Sequence, residues 1–540
     1  MSKVATYLQE HIQGEVSTDP LVLKHMSTDL SVITITPEIV IYPRSSSDIR
    51  KVARFSWQLA EKGHILPMTV RGGGSDLTGA SIGSGIIIAT TAYLNKIFEF
   101  DQKQKLIRLQ PGLSVKSLND ALSLQGMSIP PLVYLPAYAT VGGAIGNNAS
   151  GPLTGKYGDT CDWTHKLEVV LATGDLIQTG RISKRDLNKK KGVDGFEGQI
   201  YREVDNLIED NKQLIESHHN SSVRDNSAYY SITKVKKRDG SFDLTPLIVG
   251  SQGTLAIVSE LIMKADFASD QWSASVVSFD DLSQARDAVD HIKKLNPTVL
   301  EFFDGELFAS AVKTGKKYEF YDESSTKAVI IVGFDDFSSR ARAKKIKKLN
   351  KWAKKTSANI ISALDDEAFD LLSIRDVMKL RVTANNKTAM STPPLFDGAY
   401  IPWERFEEFS NALAQMAIKQ RVSLPLYGRP IENIYSTRPL LNLQKVSDKQ
   451  KILKLIDEYS KLVNDYGGHL IGQDGEGRIK ARFSKKQDDE DMQAVFTELK
   501  NIFDPHGILN QGVKQSADVK QLVSQLRSDY DTSRFADYSI

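Results

Sequence analysis

The sequence has one cysteine, Cys161, and nine histidines in 540 residues. A single thiol closes no intramolecular disulfide, and no Cys/His cluster has the spacing of a structural zinc site. A reducing, cytoplasmic setting is therefore the expectation. No apolar run approaches the roughly 20 residues that a membrane-spanning helix needs. The stretch from Met1 to Glu15 carries Gln9, Glu10 and His11 where a signal peptide would place its apolar segment. A charge excess is missing as well, since 69 Lys and Arg stand against 67 Asp and Glu, a formal +2. A general nucleic-acid binder would need a clear basic excess on at least one domain, so no nucleic-acid partner is expected. With 41% hydrophobic and 25% charged residues, the composition excludes disordered, collagen-like and coiled-coil chains. The length fits two to four domains at roughly 100–200 residues each.

From Ile39 to about Ala265, short β-rich runs alternate with helical stretches, and glycine concentrates in the connections. Ser45 to Ser47 can cap a helix whose Ile49, Val52, Ala53 and Leu59 recur near helical spacing, ahead of a strand over Ile65 to Val70. Leu167 to Ala172 and Leu176 to Thr179 read as a hairpin across Thr173, Gly174 and Asp175. Beyond Ala265 an internal repeat appears. VVSFDD (Val276 to Asp281) and IVGFDD (Ile331 to Asp336) each precede a helical stretch ending in IKKLN, at Asn296 and at Asn350. Two such strand–turn–helix units predict a ferredoxin-like layer of helices on an antiparallel sheet, in a domain beginning near residue 270. The second copy holds the most basic stretch, Arg340 to Lys355, around Ile346, Leu349 and Trp352 at helical spacing. Such a helix can make a peripheral contact with an anionic membrane. The plainer reading is a core-packed helix with a solvated face.

RGGGSDLTG, Arg71 to Gly79, puts four glycines and two hydroxyls directly after the expected strand. Only glycine lets successive amides crowd around a diphosphate without Cβ clashes, so the segment reads as a phosphate cradle. No Lys-Ser or Lys-Thr follows, which excludes a Walker loop, and G-x-G-x-x-G opening a helix is absent.

ATVGGAIGNNASG (Ala139 to Gly151), KYGDT (Lys156 to Thr160), GSQGTLAIVSE (Gly250 to Glu260) and FDPHGILNQGVK (Phe503 to Lys514) follow the cradle in series. Together the five segments resemble the FAD-binding domain of the vanillyl-alcohol oxidase and p-cresol methylhydroxylase superfamily. The resemblance implies an α+β fold, with a two-subdomain FAD-binding domain of the PCMH type and a ferredoxin-like cap. It implies an FAD domain over 1–268, a cap over 269–490, a return over 491–515 and a charged tail over 516–540. FAD contacts implied in the first loop are Arg71, Gly72, Gly73, Gly74, Ser75, Asp76, Thr78 and Gly79. Those in the second region are Pro136, Ala139, Thr140, Gly142, Gly143, Asn148 and Gly151, and the later ones are Gly253, Ile257, Val258 and Asn510. Some relatives attach the flavin through a histidine at the position of Ser75. Serine cannot form that bond, so FAD is expected to be noncovalent, and Cys161 reads as a small packing residue.

GRPIENIYSTRPLLNL (Gly428 to Leu443) and GQDGEGRIKAR (Gly472 to Arg482) resemble motifs of bacterial FAD-linked D-2-hydroxyacid dehydrogenases. In those enzymes two histidines and a Glu-His pair bind a divalent metal and supply the base. Here the positions hold Arg429 and Ser436, and Gln473 and Asp474, so no metal is expected. Two readings stand. In one, the Arg429 guanidinium replaces the cation and holds a substrate carboxylate or hydroxyl, while Asp474 or His469 accepts the hydroxyl proton. In the other, Arg429 and Asp474 form a plain ion pair and the pocket is remodelled. Arg375, or Arg381, falls where relatives grip the substrate carboxylate, and Glu432 and Tyr435 sit in the altered motif. The expected function is hydride transfer from a hydroxyl-bearing carbon of a small molecule, a 2-hydroxy acid or related alcohol, to FAD, with an unidentified electron acceptor. The alternative is an FAD-binding module with altered substrate class or lost turnover.

Overall fold

The computed structural model describes residues 3–132, 138–218, 224–313, 315–356, 358–378, 390–485, 490–515 and 518–531. The chain divides into two compact units, the first made of Met1–Ser150, Asp159–Asp266 and Gln473–Arg527, the second of Gly151–Gly158, Phe267–Gly472 and Ser528–Ile540. No helix among the described residues is long and apolar enough to cross a membrane.

The first unit holds two sheets. In one, the strands Ile39–Tyr42, Ile86–Ala89 and Met68–Arg71 run parallel, with Glu15–Ser17 antiparallel on the outer side. Their runs IVIY and IIIA are almost continuously apolar and buried, as a parallel sheet covered on both faces demands. The expected helix spans Ser46–Glu61 and buries Ile49, Val52, Ala53, Ser56 and Ala60. Its Asp48 is buried too and accepts from the amides of Gln13 and Arg44, tying the helix start to the N-terminal segment. The second sheet is antiparallel, in the order Ile97–Asp101, Leu106–Leu109, Ile257–Lys264, Thr164–Val170, Leu176–Gln178. The expected hairpin is its last pair. Ile257–Lys264 alternates buried and half-buried residues, the signature of a strand with one face on the core.

The second unit is built on a seven-stranded antiparallel sheet. Its first four strands follow the order Asn359–Leu364, Ser273–Phe279, Ala328–Phe334, Val299–Asp304. Two strand–helix–strand copies interleaved in this way make the ferredoxin-like arrangement that the repeat predicts. The copies have since taken different duties. Asp281 caps the helix Leu282–Lys293 through the amides of Ser283 and Gln284. Its counterpart Asp336 instead pairs with Lys345 at 2.8 Å. The neighbouring Asp335 is buried and receives Lys156, Tyr157 and Thr298, which fastens the KYG segment onto the second copy. The helix Ser339–Thr356 buries Arg342, Ile346, Leu349 and Ala353, so its apolar stripe belongs to the core. Strands Leu426–Arg429, Ile434–Thr437 and Phe396–Tyr400 extend the sheet.

Two boundaries differ from the expected ones. Residues 473–485 group with the first unit because Arg478 is buried there, donating to the carbonyls of Gly79 at 3.0 Å and Ile82 at 2.7 Å. Residues 518–527, inside the stretch expected as a charged tail, include the helix Val519–Gln525 and belong to the first unit, with Leu522 buried and the Arg527 amide donating to the Val32 carbonyl.

Candidate FAD cradle and substrate-facing cluster

The glycine-rich turn leaves the strand Met68–Arg71 as expected and lies against a second loop. A Cβ on Gly73 would collide with the Tyr138 carbonyl oxygen, and Gly74 has a left-handed φ of +75°. Both positions therefore require glycine. The amides of Gly72, Gly73, Gly74 and Ser75 make no hydrogen bond to another described residue. Four successive free amides in a half-buried turn are what a diphosphate would occupy. This open donor set is the feature by which the loop fits FAD.

The polar residues around the turn hold its shape. Arg71 points inward, donating to the carbonyls of Thr28 at 2.8 Å and Ser81 at 3.2 Å. The Asp76 carboxylate collects the amides of Thr78 and Ala80 and the Asn147 side chain. Thr78 accepts from Gln252, whose own carbonyl receives the Asn510 amide. Gly79 abuts Ile33, and Gly253 takes a positive φ beside Asn510. In the second loop Thr140 caps the helix Val141–Asn147 through the Gly143 amide, and Gly142 abuts Pro111. Ala139 is buried, its carbonyl accepting from Val115. Asn148 ends that helix in a left-handed conformation and ties Asp159, Asn226 and the Cys161 amide together. The Ile257 side chain lies in the apolar core, whereas Val258 is half-buried. Gly151 lies in the segment that groups with the second unit. Pro136 lies outside the described residues, as does Arg381. Burial pushes the Cys161 thiol up to about 12, which leaves it a packing residue.

Asp29 sits beneath the cradle, fully buried, accepting from the Ser31 amide at 2.9 Å and the Ser81 hydroxyl at 3.0 Å. Burial, followed by the charge of Asp76, raises its pKa to about 6. The folded state thus holds this proton more tightly than the unfolded chain. The resulting stability is complete below the unfolded pKa near 3.8 and is lost as pH rises through about 6. At roughly 1.4 kcal/mol per pH unit, about 3 kcal/mol is at stake. Asp29→Asn should therefore gain stability relative to the natural chain between pH 4 and 7, which urea midpoints across that range will measure.

In the second unit the strand register decides which side chains share a face. Phe303 pairs with Tyr427 and Phe302 with Gly428; carried one step further, this sets Glu301 across from Arg429. Glu301 Oε2 lies 3.0 Å from Arg375 Nη2, and Arg375 rises from the short turn Ile374–Asp376. Burial raises the pKa of Glu301, against the pull of Arg375 and Arg429. Arg429 Nε donates to Glu432 Oε2 at 2.7 Å. On the same face, Tyr427 and Arg438 converge on Asp397 at 3.0 and 2.8 Å. Arg375, Arg429 and Glu432 thus come together as a cluster. Glu301, which pairs with Arg375 and stands across from Arg429 in register, was not singled out from the sequence, although an acid between the apolar residues of VLEFF was its signal.

Tyr435 is a correction to its expected place. It pairs across from Gly428, on the opposite face from Arg429, and packs 4.6 Å from the Phe406 ring. Its hydroxyl is buried with no partner among the described residues. His469 pairs through its backbone with Tyr400. Asp474 belongs to the first unit, where it has a left-handed φ of +57° and its carbonyl accepts from Asn226. Arg429 and Ser436 give the hairpin a cation and a hydroxyl that accepts from the Gly398 amide, a donor set that does not fit a metal.

Residues 37–180 match the family model of the FAD binding domain, and residues 271–513 match that of the C-terminal domain of FAD linked oxidases. The chain is 24% identical over 554 aligned positions to D-2-hydroxyglutarate dehydrogenase of Pantoea ananatis, covering 98% of this chain and 54% of that protein. It thus spans about half the length of the first curated relatives it matches. It is 24% identical to the glycolate oxidase subunit GlcD of Bacillus subtilis, covering 90% of this chain and 91% of that one. The structure of 4-ethylphenol oxidase from Gulosibacter chungangensis superimposes with a TM-score of 0.71 at 14% identity, covering 96% of this chain and 98% of the other, a likeness of fold. The free-amide cradle of one unit and the duplicated sheet of the other each lie inside a matching family region, so the chain joins an FAD binding domain to the C-terminal domain of the FAD linked oxidases.

Proposed function

We propose that this protein oxidises a hydroxyl-bearing carbon of a 2-hydroxy acid or related alcohol, with noncovalent FAD as oxidant and no metal. The observation that carries the reading is the arginine pair on one face of the second unit's sheet, Arg375 held by Glu301 and Arg429 held by Glu432. Guanidinium groups fixed in this way present paired N–H donors to a carboxylate or a hydroxyl. Bound FAD supplies a two-electron acceptor for hydride. Arg375 and Arg429 would orient the substrate, and His469, in the same unit, would take the hydroxyl proton. The relatives named as D-2-hydroxyglutarate and D-lactate dehydrogenases point to hydroxy acids as the first compounds to try. The electron acceptor would be a soluble carrier, a quinone or oxygen.

A second reading, an FAD-binding module without turnover, draws on the engagement of both arginines by acidic neighbours. The two are separated by mixing the oxidised flavoprotein anaerobically with 2-hydroxy acids, sugar alcohols and aromatic alcohols. Bleaching of the flavin band by one class supports turnover; bleaching by dithionite alone supports the module. Arg429→Met should leave FAD content intact and weaken the apparent affinity for the reducing compound by about tenfold or more, the effect of losing a charged hydrogen bond. An unchanged affinity and reduction rate would remove Arg429 from the site. Elemental analysis finding stoichiometric zinc or manganese, with activity lost on its removal, would contradict the metal-free reaction.

A further inference from the structure

The helix Ser339–Thr356 has no acidic residue in 18 positions. Arg342 and Lys345 are its paired cations, with Asp365 and Asp336. The other seven, Arg340, Lys344, Lys347, Lys348, Lys351, Lys354 and Lys355, are exposed and make no ion pair among the described residues. At 100° per residue they fall within an arc of about 120°, opposite the buried Ile346, Leu349 and Ala353. They stack like charge on like charge at i, i+4, as in Arg340 with Lys344, Lys344 with Lys348, Lys347 with Lys351 and Lys351 with Lys355. Each such pair destabilises the helix, and cations in its first turns oppose the helix dipole. Of the seven only Lys354 and Lys355, in the last turn, complement the dipole, and a partner of opposite charge would relieve the repulsion among the rest. Local conflict of this kind marks function more often than architecture.

We propose that this helix face docks the protein on an anionic phospholipid surface. Six of the seven charges are lysines. Lysine is depleted at protein–protein interfaces, where arginine's fork binds carboxylates in pairs, but it suits a diffuse sheet of phosphate headgroups. A straight helix about 27 Å long presents the charges in one plane. Phe337, 71% exposed just ahead of the helix, adds a ring able to enter the headgroup layer. Because the apolar stripe is committed to the core, the docking is electrostatic and does not insert the helix. The inference rests on the charge pattern and stands whether or not the proposed reaction is correct.

The test is co-sedimentation of the full-length flavoprotein with vesicles. Binding is expected to vesicles of phosphatidylcholine and phosphatidylglycerol in equal parts, not to phosphatidylcholine alone, and to fall steeply as salt rises. Replacing Lys344, Lys347, Lys348 and Lys351 together by Gln should weaken partitioning by about 600-fold, at about fivefold per lysine, with FAD content and thermal midpoint retained. Phe337→Ala should weaken it less. Absence of binding to the anionic vesicles at low salt overturns the proposal, as does binding that survives the fourfold substitution. So does capture by an acidic polypeptide such as polyglutamate with no vesicle binding, which would assign the face to a protein partner.

Discussion

Gly73→Ala should yield a folded chain that purifies without its yellow colour. A methyl group there has to displace the Tyr138 carbonyl, which is backbone and cannot rotate aside. The two loops would separate, and the four free amides from Gly72 to Ser75 would lose their common direction. Charge-assisted hydrogen bonds to phosphate contribute about 1.5–3 kcal/mol each, so loss of two or more weakens binding by about a hundredfold at least. Gly146→Ala is the matched control. It lies in the adjoining helix, where the nearest heavy atom to an added Cβ is 3.9 Å away, and it should keep its flavin. The readout is the ratio of absorbance near the flavin band to that of protein, with far-UV circular dichroism to establish folding. A yellow Gly73→Ala protein with normal flavin stoichiometry would remove this loop from the cofactor site.

Lys514→Met should cause the largest loss of stability. Lys514 Nζ lies 2.7 Å from Glu476 Oε2, and the two side chains are only 1% and 4% exposed. Removing one partner from a buried pair strands the other charge and costs about 3–5 kcal/mol. Glu476 also accepts from the Ala228 amide, so it cannot turn outward without abandoning a second group. The Lys514→Met, Glu476→Gln double variant keeps that acceptor and removes the stranded charge, and it should recover most of the loss. Urea unfolding followed by flavin release and by circular dichroism measures both. A single variant as stable as the natural chain would show that water reaches the pair.

The parts of this protein that were legible in its sequence are those whose physics is local. A run of glycines after a strand announces free amides whatever surrounds it, and the FDD repeat announces two copies of one unit, so a phosphate cradle was proposed and the ferredoxin-like layer was foreseen from short segments. What stayed hidden depends on parity and on distant partners. Arg429 and Tyr435 lie six residues apart in one motif, but the intervening turn sets the register and sends them to opposite faces of the sheet. Arg71 stands at the mouth of the cradle in sequence, yet its guanidinium turns toward carbonyls more than forty residues earlier. The assignment of 473–485 hinged on Arg478, whose partners near residue 80 are some 400 positions away.

The chain passes from one unit to the other five times. An enzyme assembled like beads could acquire a new specificity by exchanging its second unit whole in a single crossover. Here any such exchange would sever the strap at Gly151–Gly158 and the return at Gln473–Arg527 as well. New chemistry must therefore arise residue by residue inside a retained scaffold. In the hairpin such a change would fall on side chains like Arg429 and Ser436, carried by a strand pair whose register stays as it is.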